Sequence, residues 1–223
     1  MPPELTQPVN DFAHVIDAPG TNAMEALIRS LQQASGDVVV VATVPTFKPY
    51  GDIREYAVKM FDNHGRGIGQ RGKDNGILVL LAVNDRQVWV EVGYDLEQFV
   101  TDGFSGDVSR QYMAPEFRRG AYGAGLLAGV SRIVARVAQG RNVALQGVRP
   151  EPDGPNVGSG RSVFVAIFIL FMVLNAIART RRRLFGPRWG GGGWSGWNSG
   201  IGPFGGGGFG GGRSGGGGGG AGW

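Results

Sequence analysis

The residues best suited to chemistry in this 223-residue chain are carboxylates gathered around one short apolar hairpin. Asp74 stands before Asn75 and Gly76, Glu91 lies in the run QVWVEV, and Gly93-Tyr94-Asp95-Leu96-Glu97 leads on to Asp102. With Asp85 and Arg86 as a two-residue turn, residue 80 faces 91 and residue 77 faces 94. Asp74 and the segment 93–97 then meet at the open end of the hairpin. Carboxylates converging there with Asn75 and backbone carbonyls suit a hard divalent cation, calcium or magnesium, which takes oxygen ligands. The expected metal ligands are Asp74, Glu91, Glu97 and Asp102. The same residues also admit a structural reading: Asp102 caps a helix, Asp95 turns a loop, and Glu91 meets Lys73 or an arginine at the surface.

Other chemistries are excluded by what is missing. There is no cysteine, and His14 and His64 are the only histidines, so thiolate and histidine-rich zinc sites fall away. Gly67-Ile68-Gly69-Gln70-Arg71-Gly72 satisfies the dinucleotide pattern G-x-G-x-x-G, and Gly67 to Lys73 approaches a P-loop. Both motifs need glycines after a strand and at the start of a helix, where backbone N–H groups point at phosphate. Here they follow a helix and lead into a strand, and Asp74 stands where a P-loop has Ser or Thr. A nucleotide is not expected.

The elements that position the hairpin alternate between helix and strand. Asn22 and Glu25 have capping-box spacing before a helix with Met24, Leu27, Ile28 and Leu31 on one face. Gly36 ends it, and 37–44 is an apolar, β-branched strand closed by Pro45. Asp52 and Glu55 repeat the cap before a helix with Ile53, Tyr56, Ala57 and Met60 on one side. Residues 76–83 form a second buried strand, and 87–92 return with Val88, Val90 and Val92 alternating against Gln87, Trp89 and Glu91. Helices over about 103–118 and 122–139 follow. The expected fold is an α/β sandwich with a mixed sheet, a parallel βαβ unit plus an antiparallel hairpin, and helices on its faces.

Beyond this domain (1–145) and a linker (146–161), the composition changes. The run VFVAIFILFMVLNAIA, extended to 162–180, has the length and apolarity of one transmembrane helix. Arg179, Arg181, Arg182, Arg183 and Arg188 crowd its carboxyl side without any acid, forming a basic flank over 181–189. Residues 1–153 hold all 18 acids and 15 of the 22 bases, so the folded part is mildly acidic while the overall charge is +4. The positive-inside rule predicts a single-pass cell-membrane protein with the domain extracytoplasmic and the tail cytoplasmic. The opening MPPELTQPVNDFA lacks a charged-then-apolar export segment, so the signal is expected to be missing from this chain. The tail 190–223 holds 21 of the 42 glycines and is expected to be disordered. Arg213 is its only base, which argues against nucleic acid.

PVNDFAHVID (8–17), VVVVATVPT (38–46), GQRGKDNGILVLLAVNDRQVWVEVGYDLEQFVTD (69–102) and APEFRRGAYGAGL (114–126) resemble a TPM domain over about residues 8–140. That family includes a thylakoid-lumen protein linked to photosystem II repair, bacterial membrane-anchored proteins and an animal modulator of acetylcholine-receptor channels. Its bacterial members often continue into a transmembrane helix and a glycine-rich tail. The resemblance implies an α/β sandwich outside the cytoplasm, with divalent-cation binding and weak acid phosphatase activity for some plant members. By position, Asp11, Asp74, Glu91, Tyr94, Glu97 and Asp102 match the family's motif residues, which adds Asp11 to the metal set. Asn75, Gly76, Gly93 and Tyr94 complete the motif. Two functions are therefore expected: a membrane-tethered module assisting assembly, turnover or regulation of membrane-protein complexes, or a slow metal-dependent acid phosphatase. No catalytic nucleophile with an adjacent base is readable.

Overall fold

The computed structural model describes residues 1–145 and 217–223. The linker 146–161, the span 162–180, the basic flank 181–189 and the tail over 190–216 lie outside the described residues. Among the described residues, no helix is long and apolar enough to cross a membrane.

Strand β1 (Val9–Asp11) leads into α1 (Ala18–Ser35), which opens with Pro19 in its first turn, where no intrahelical N–H is needed. Gly36, at φ 81°, closes α1 by donating its N–H to Gln32 O. Then come β2 (Val38–Val44) and α2 (Ile53–Asp62). Asp52 accepts the Glu55 N–H at 2.7 Å, and the Glu55 carboxylate accepts from Gly51 N at 2.9 Å. After the irregular 63–75 stretch come β3 (Gly76–Ala82) and β4 (Gln87–Val92). Helix α3 (Asp102–Val108) runs through a π turn at Ser109–Met113 into α4 (Ala114–Arg118). The long α5 (Tyr122–Arg141) completes the helices, and β5 (Gly218–Gly222) is the final strand.

The sheet order is β1-β2-β3-β4-β5. β1, β2 and β3 are parallel, while β4 is antiparallel to both β3 and β5. Period-two alternation sends Val39, Val41, Ile77, Val79, Val88 and Val90 into a core with α1, α5 and the α3–α4 segment. Val40, Ala42, Val44, Leu78 and Leu80 pack against Ile53, Tyr56, Ala57, Met60 and Phe61 of α2. Both faces are covered, which explains the near-continuous apolar runs of β2 and β3. The α/β sandwich with a mixed sheet is the fold expected from sequence.

Several local expectations are corrected. The α1 cap is Asp17, whose side chain accepts from Gly20 N, and not Asn22 with Glu25. The hairpin turn spans Val83–Arg86, closed by Arg86 N–H to Val83 O with Arg86 at φ 52°. Leu80 therefore faces Trp89 and Ile77 faces Val92, a slip of two from the expected register. A slip of two preserves which side chains share a face, so the amphipathic reading survives it. The last part of the tail, expected to be disordered, forms β5 and sits in the same compact unit as the domain.

Candidate functional site

The parallel register sets Val38 of β2 beside Gly76 of β3, and the antiparallel register sets Ile77 beside Val92. The strand starts and the hairpin's open end therefore share one edge of the domain. Two backbone crossings there require glycine. A Cβ on Gly76 would stand 2.2 Å from Ile68 O, and one on Gly93 would stand 2.2 Å from Asp74 O. Gly93 N–H donates to Gly76 O at 2.7 Å, and Asp95 N–H donates to Asp74 O at 3.3 Å. Asp74 makes the turn at φ 51°, a left-handed position that Asp tolerates better than most residues.

Asn75, buried beneath this crossing, spends its amide on three partners. Its Nδ2 donates to Gly36 O at 2.9 Å and to Asp37 Oδ1 at 3.3 Å, while its Oδ1 accepts from Gln70 N at 2.8 Å. Asp37, 1% exposed, receives the Arg141 fork: Nε on Oδ2 and Nη2 on Oδ1, both at 2.9 Å. Arg141 Nη2 also bonds Asp95, and the guanidinium lies 5.2 Å from the Phe99 ring centroid. The hydrogen bonds to Asp37 foremost, and then Asp95, hold the Arg141 guanidinium above its ordinary basicity although burial opposes them. A buried carboxylate is tolerated only with such pairing. The cluster ties the starts of β2 and β3, the turn after β4 and the last residue of α5 into one polar lock. Asp37 and Arg141 were not among the expected site residues; the available signal was a lone acid opening an otherwise apolar strand.

The five expected ligands do not form one centre. Asp11 ends β1 at the opposite end of the parallel strands, where its carboxylate accepts from Val15 N, Ile16 N and the Thr43 hydroxyl. Glu91 is fully buried on the α2 face opposite Leu78, accepting from Trp89 Nε1 at 2.8 Å, and does not project from an exposed polar face. Asp102 lies in the first turn of α3, capped by Thr101, and its Oδ1 accepts from Gly218 N at 2.7 Å. Glu97 Oε1 is buried without a hydrogen-bond partner among the described residues, and a Cβ on Gly217 would stand 2.4 Å from it. Tyr94 is 67% exposed. Among the described residues, no three histidine or carboxylate side chains converge as a metal-binding group. The expected set therefore does not fit a single cation; Glu97 and Asp102 instead flank the start of β5.

β5 fills a slot between β4 and α3. A Cβ on Gly219 would stand 2.4 Å from Asp102 O and 2.6 Å from Gly106 N. One on Gly220 would meet Val88 O at 2.3 Å and Trp89 Cε3 at 2.7 Å, and one on Gly218 would meet Val90 O at 2.4 Å. Real Cβ atoms do not come so close to backbone, so three consecutive positions admit only glycine. Trp223 anchors the far end, its ring centroid 4.7 Å from that of Phe117 and 6.3 Å from that of Tyr122, while its backbone N–H donates to Arg86 O.

Among solved structures, the N-terminal domain of a protein from P. gingivalis is similar at 25% identity and a TM-score of 0.55, over 62% of this chain and 86% of that one. The BA42 protein of the psychrophilic bacterium Bizionia argentinensis gives 20% identity and 0.48, over 61% and 90%. The N-terminal domain of the cg2496 protein of Corynebacterium glutamicum gives 16% and 0.45, over 60% and 82%. No curated protein matches the chain in sequence. The family model of the TPM domain matches residues 9–136, more than half of the 223 residues, and the chain belongs to the TPM-domain family.

Proposed function

We propose that this TPM domain is a binding module, attached to the cell membrane through residues 162–180, that assists assembly, turnover or regulation of membrane-protein complexes. The observation that carries this reading is the commitment of four carboxylates to holding the fold. Asp37 and Asp95 are engaged by Arg141, Asp11 by backbone and Thr43, and Asp102 by Gly218. A hydrolase of phosphate esters needs a positioned nucleophile or metal-bound water and donors aimed at developing charge. The polar groups at the hairpin end serve instead to hold the surface around exposed Tyr94 in one shape. Calcium or magnesium binding enters this proposal in reduced form: Glu97 and Asp102 are the carboxylates that a cation would share with the start of β5.

The test is a photo-crosslinker placed at Tyr94 in the full chain, followed by membrane isolation. Capture of a membrane protein, lost when the crosslinker is moved to Val58 on α2, supports the module. Phosphomonoester turnover near the ~10 per second of a median enzyme would overturn it in favour of the phosphatase. The expected rate is at least about a hundredfold lower, because general acid–base groups and oxyanion donors each contribute ~10²-fold or more.

A further inference from the structure

The slot between β4 and α3 is selective for glycine, and its occupant is joined to the domain only through residues 146–216, about 70 positions of chain. We propose that the slot is an interface between copies of this chain, taking residues 217–223 of a second copy in exchange for its own. This rests on the slot geometry, and it requires the domain and residues 217–223 to lie on one side of the membrane to which the proposed module is attached.

Three observations support exchange. First, the strand contributes little that depends on its own domain being the host. Its hydrogen bonds run to β4 backbone, to Arg86 O and to Asp102, and its one large side chain, Trp223, lodges by Phe117 and Tyr122. Any copy presents the same acceptor, so a strand from outside makes every contact the chain's own strand makes. Second, glycine loses more backbone freedom on ordering than any other residue. A strand of glycines is thus held by the slot and not by its own preference. Third, the connection runs to about 70 residues, and the effective concentration that a tether supplies falls with its length once it exceeds the span. Neighbouring copies at comparable local density therefore compete for the slot.

The absence of cysteine makes the test direct. Gln87 pairs with Gly222, and a Cβ on Gly222 would meet nothing nearer than Arg86 O at 3.5 Å. Paired antiparallel residues lie within the Cα separation a disulfide accepts. Full-length chains carrying Gln87→Cys alone and Gly222→Cys alone are mixed and oxidised, and a chain carrying both serves as reference. Exchange predicts a covalent dimer joining the two single variants. Adding Gly219→Val to the Gly222→Cys chain should lower its yield at least about tenfold, because overpacking against α3 unseats the strand. If the double-cysteine chain closes on itself while the mixture gives no dimer, the strand serves only its own domain and the proposal fails. A dimer indifferent to Gly219→Val, or no disulfide in any sample, equally overturns it.

Discussion

Arg141, the last residue of α5, closes its guanidinium fork on Asp37, which directly precedes β2 more than a hundred positions earlier; both hydrogen bonds measure 2.9 Å. Asp37 is 1% exposed, so removing the guanidinium strands a buried carboxylate. Arg141→Met is expected to cost about 3 kcal/mol, the low end for breaking a buried pair, since the arginine side chain keeps 27% exposure. Adding Asp37→Leu should recover part of that loss. Urea unfolding measures both, and equal midpoints for wild type and Arg141→Met would show the lock to be dispensable.

Alkaline stability should report on Tyr56. Burial, and secondly Tyr50, raise its phenol above the ordinary value of 10.0. The unfolded chain releases this proton first, so the stabilisation is complete below pH ~10 and is lost as pH rises through the folded value. Tyr56→Phe removes that contribution to the slope. The difference in unfolding free energy between mutant and wild type, followed from pH 8 to 11, should move in the mutant's favour. A difference constant across that range would refute the assignment.

Gly220→Val and Gly222→Ser should behave oppositely. The first drives a branched side chain into Val88 O and Trp89 and is expected to cost about 1–3 kcal/mol, unseating β5. The second meets only ordinary contact distances. Hydrogen exchange at Val92, whose N–H is held by Gly217 O, should accelerate in the first and stay at the wild-type rate in the second.

Deleting residues 217–223 should strengthen calcium binding. Asp102 Oδ1 then loses the Gly218 N–H, and Glu97 Oε1 is uncovered. Titration calorimetry with calcium chloride on both forms checks this, with Glu97→Gln plus Asp102→Asn as control. Heat that survives in the control, or none in either form at ~10⁻³ M, the range of weak extracellular sites, would end the cation reading.

Membrane topology supplies a further prediction. A single crossing by 162–180 would place the tail across the bilayer from the domain, whereas a seated β5 needs both on one side. In intact cells an epitope at residue 200 and the domain should show the same protease sensitivity. Opposite sensitivities would mean that β5 is not seated in the cell and would restore the orientation expected from the arginine flank.

The sandwich was legible because β2, β3 and α2 obey their own periodicities and Asp52 with Glu55 writes a helix start. The hairpin register was not: only the Val83 O to Arg86 N–H bond and the left-handed Arg86 reveal the wider turn. Glu91 looked solvent-facing because it alternates with Gln87 and Trp89, yet α2 covers that face. Asp37 and Arg141 carry no shared motif, since side chains so far apart in sequence meet only after the sheet and α5 have packed. β5 could not be read at all: glycine has neither hydrophobic pattern nor strand propensity, and its pairing is dictated by the slot.

That last feature changes what sets the alignment of β5. An ordinary strand is indexed by its alternating side chains, so slipping by one exposes its core face. The run Gly215–Gly220 has no such index, and sliding it along β4 exchanges one glycine for another. Only Ala221, packed on the core, and Trp223 distinguish one alignment from the next. The strand is therefore read as a ruler with a single mark, and residues added or lost upstream of the run leave the seated alignment unchanged. Moving Trp223 by one position should displace the whole strand.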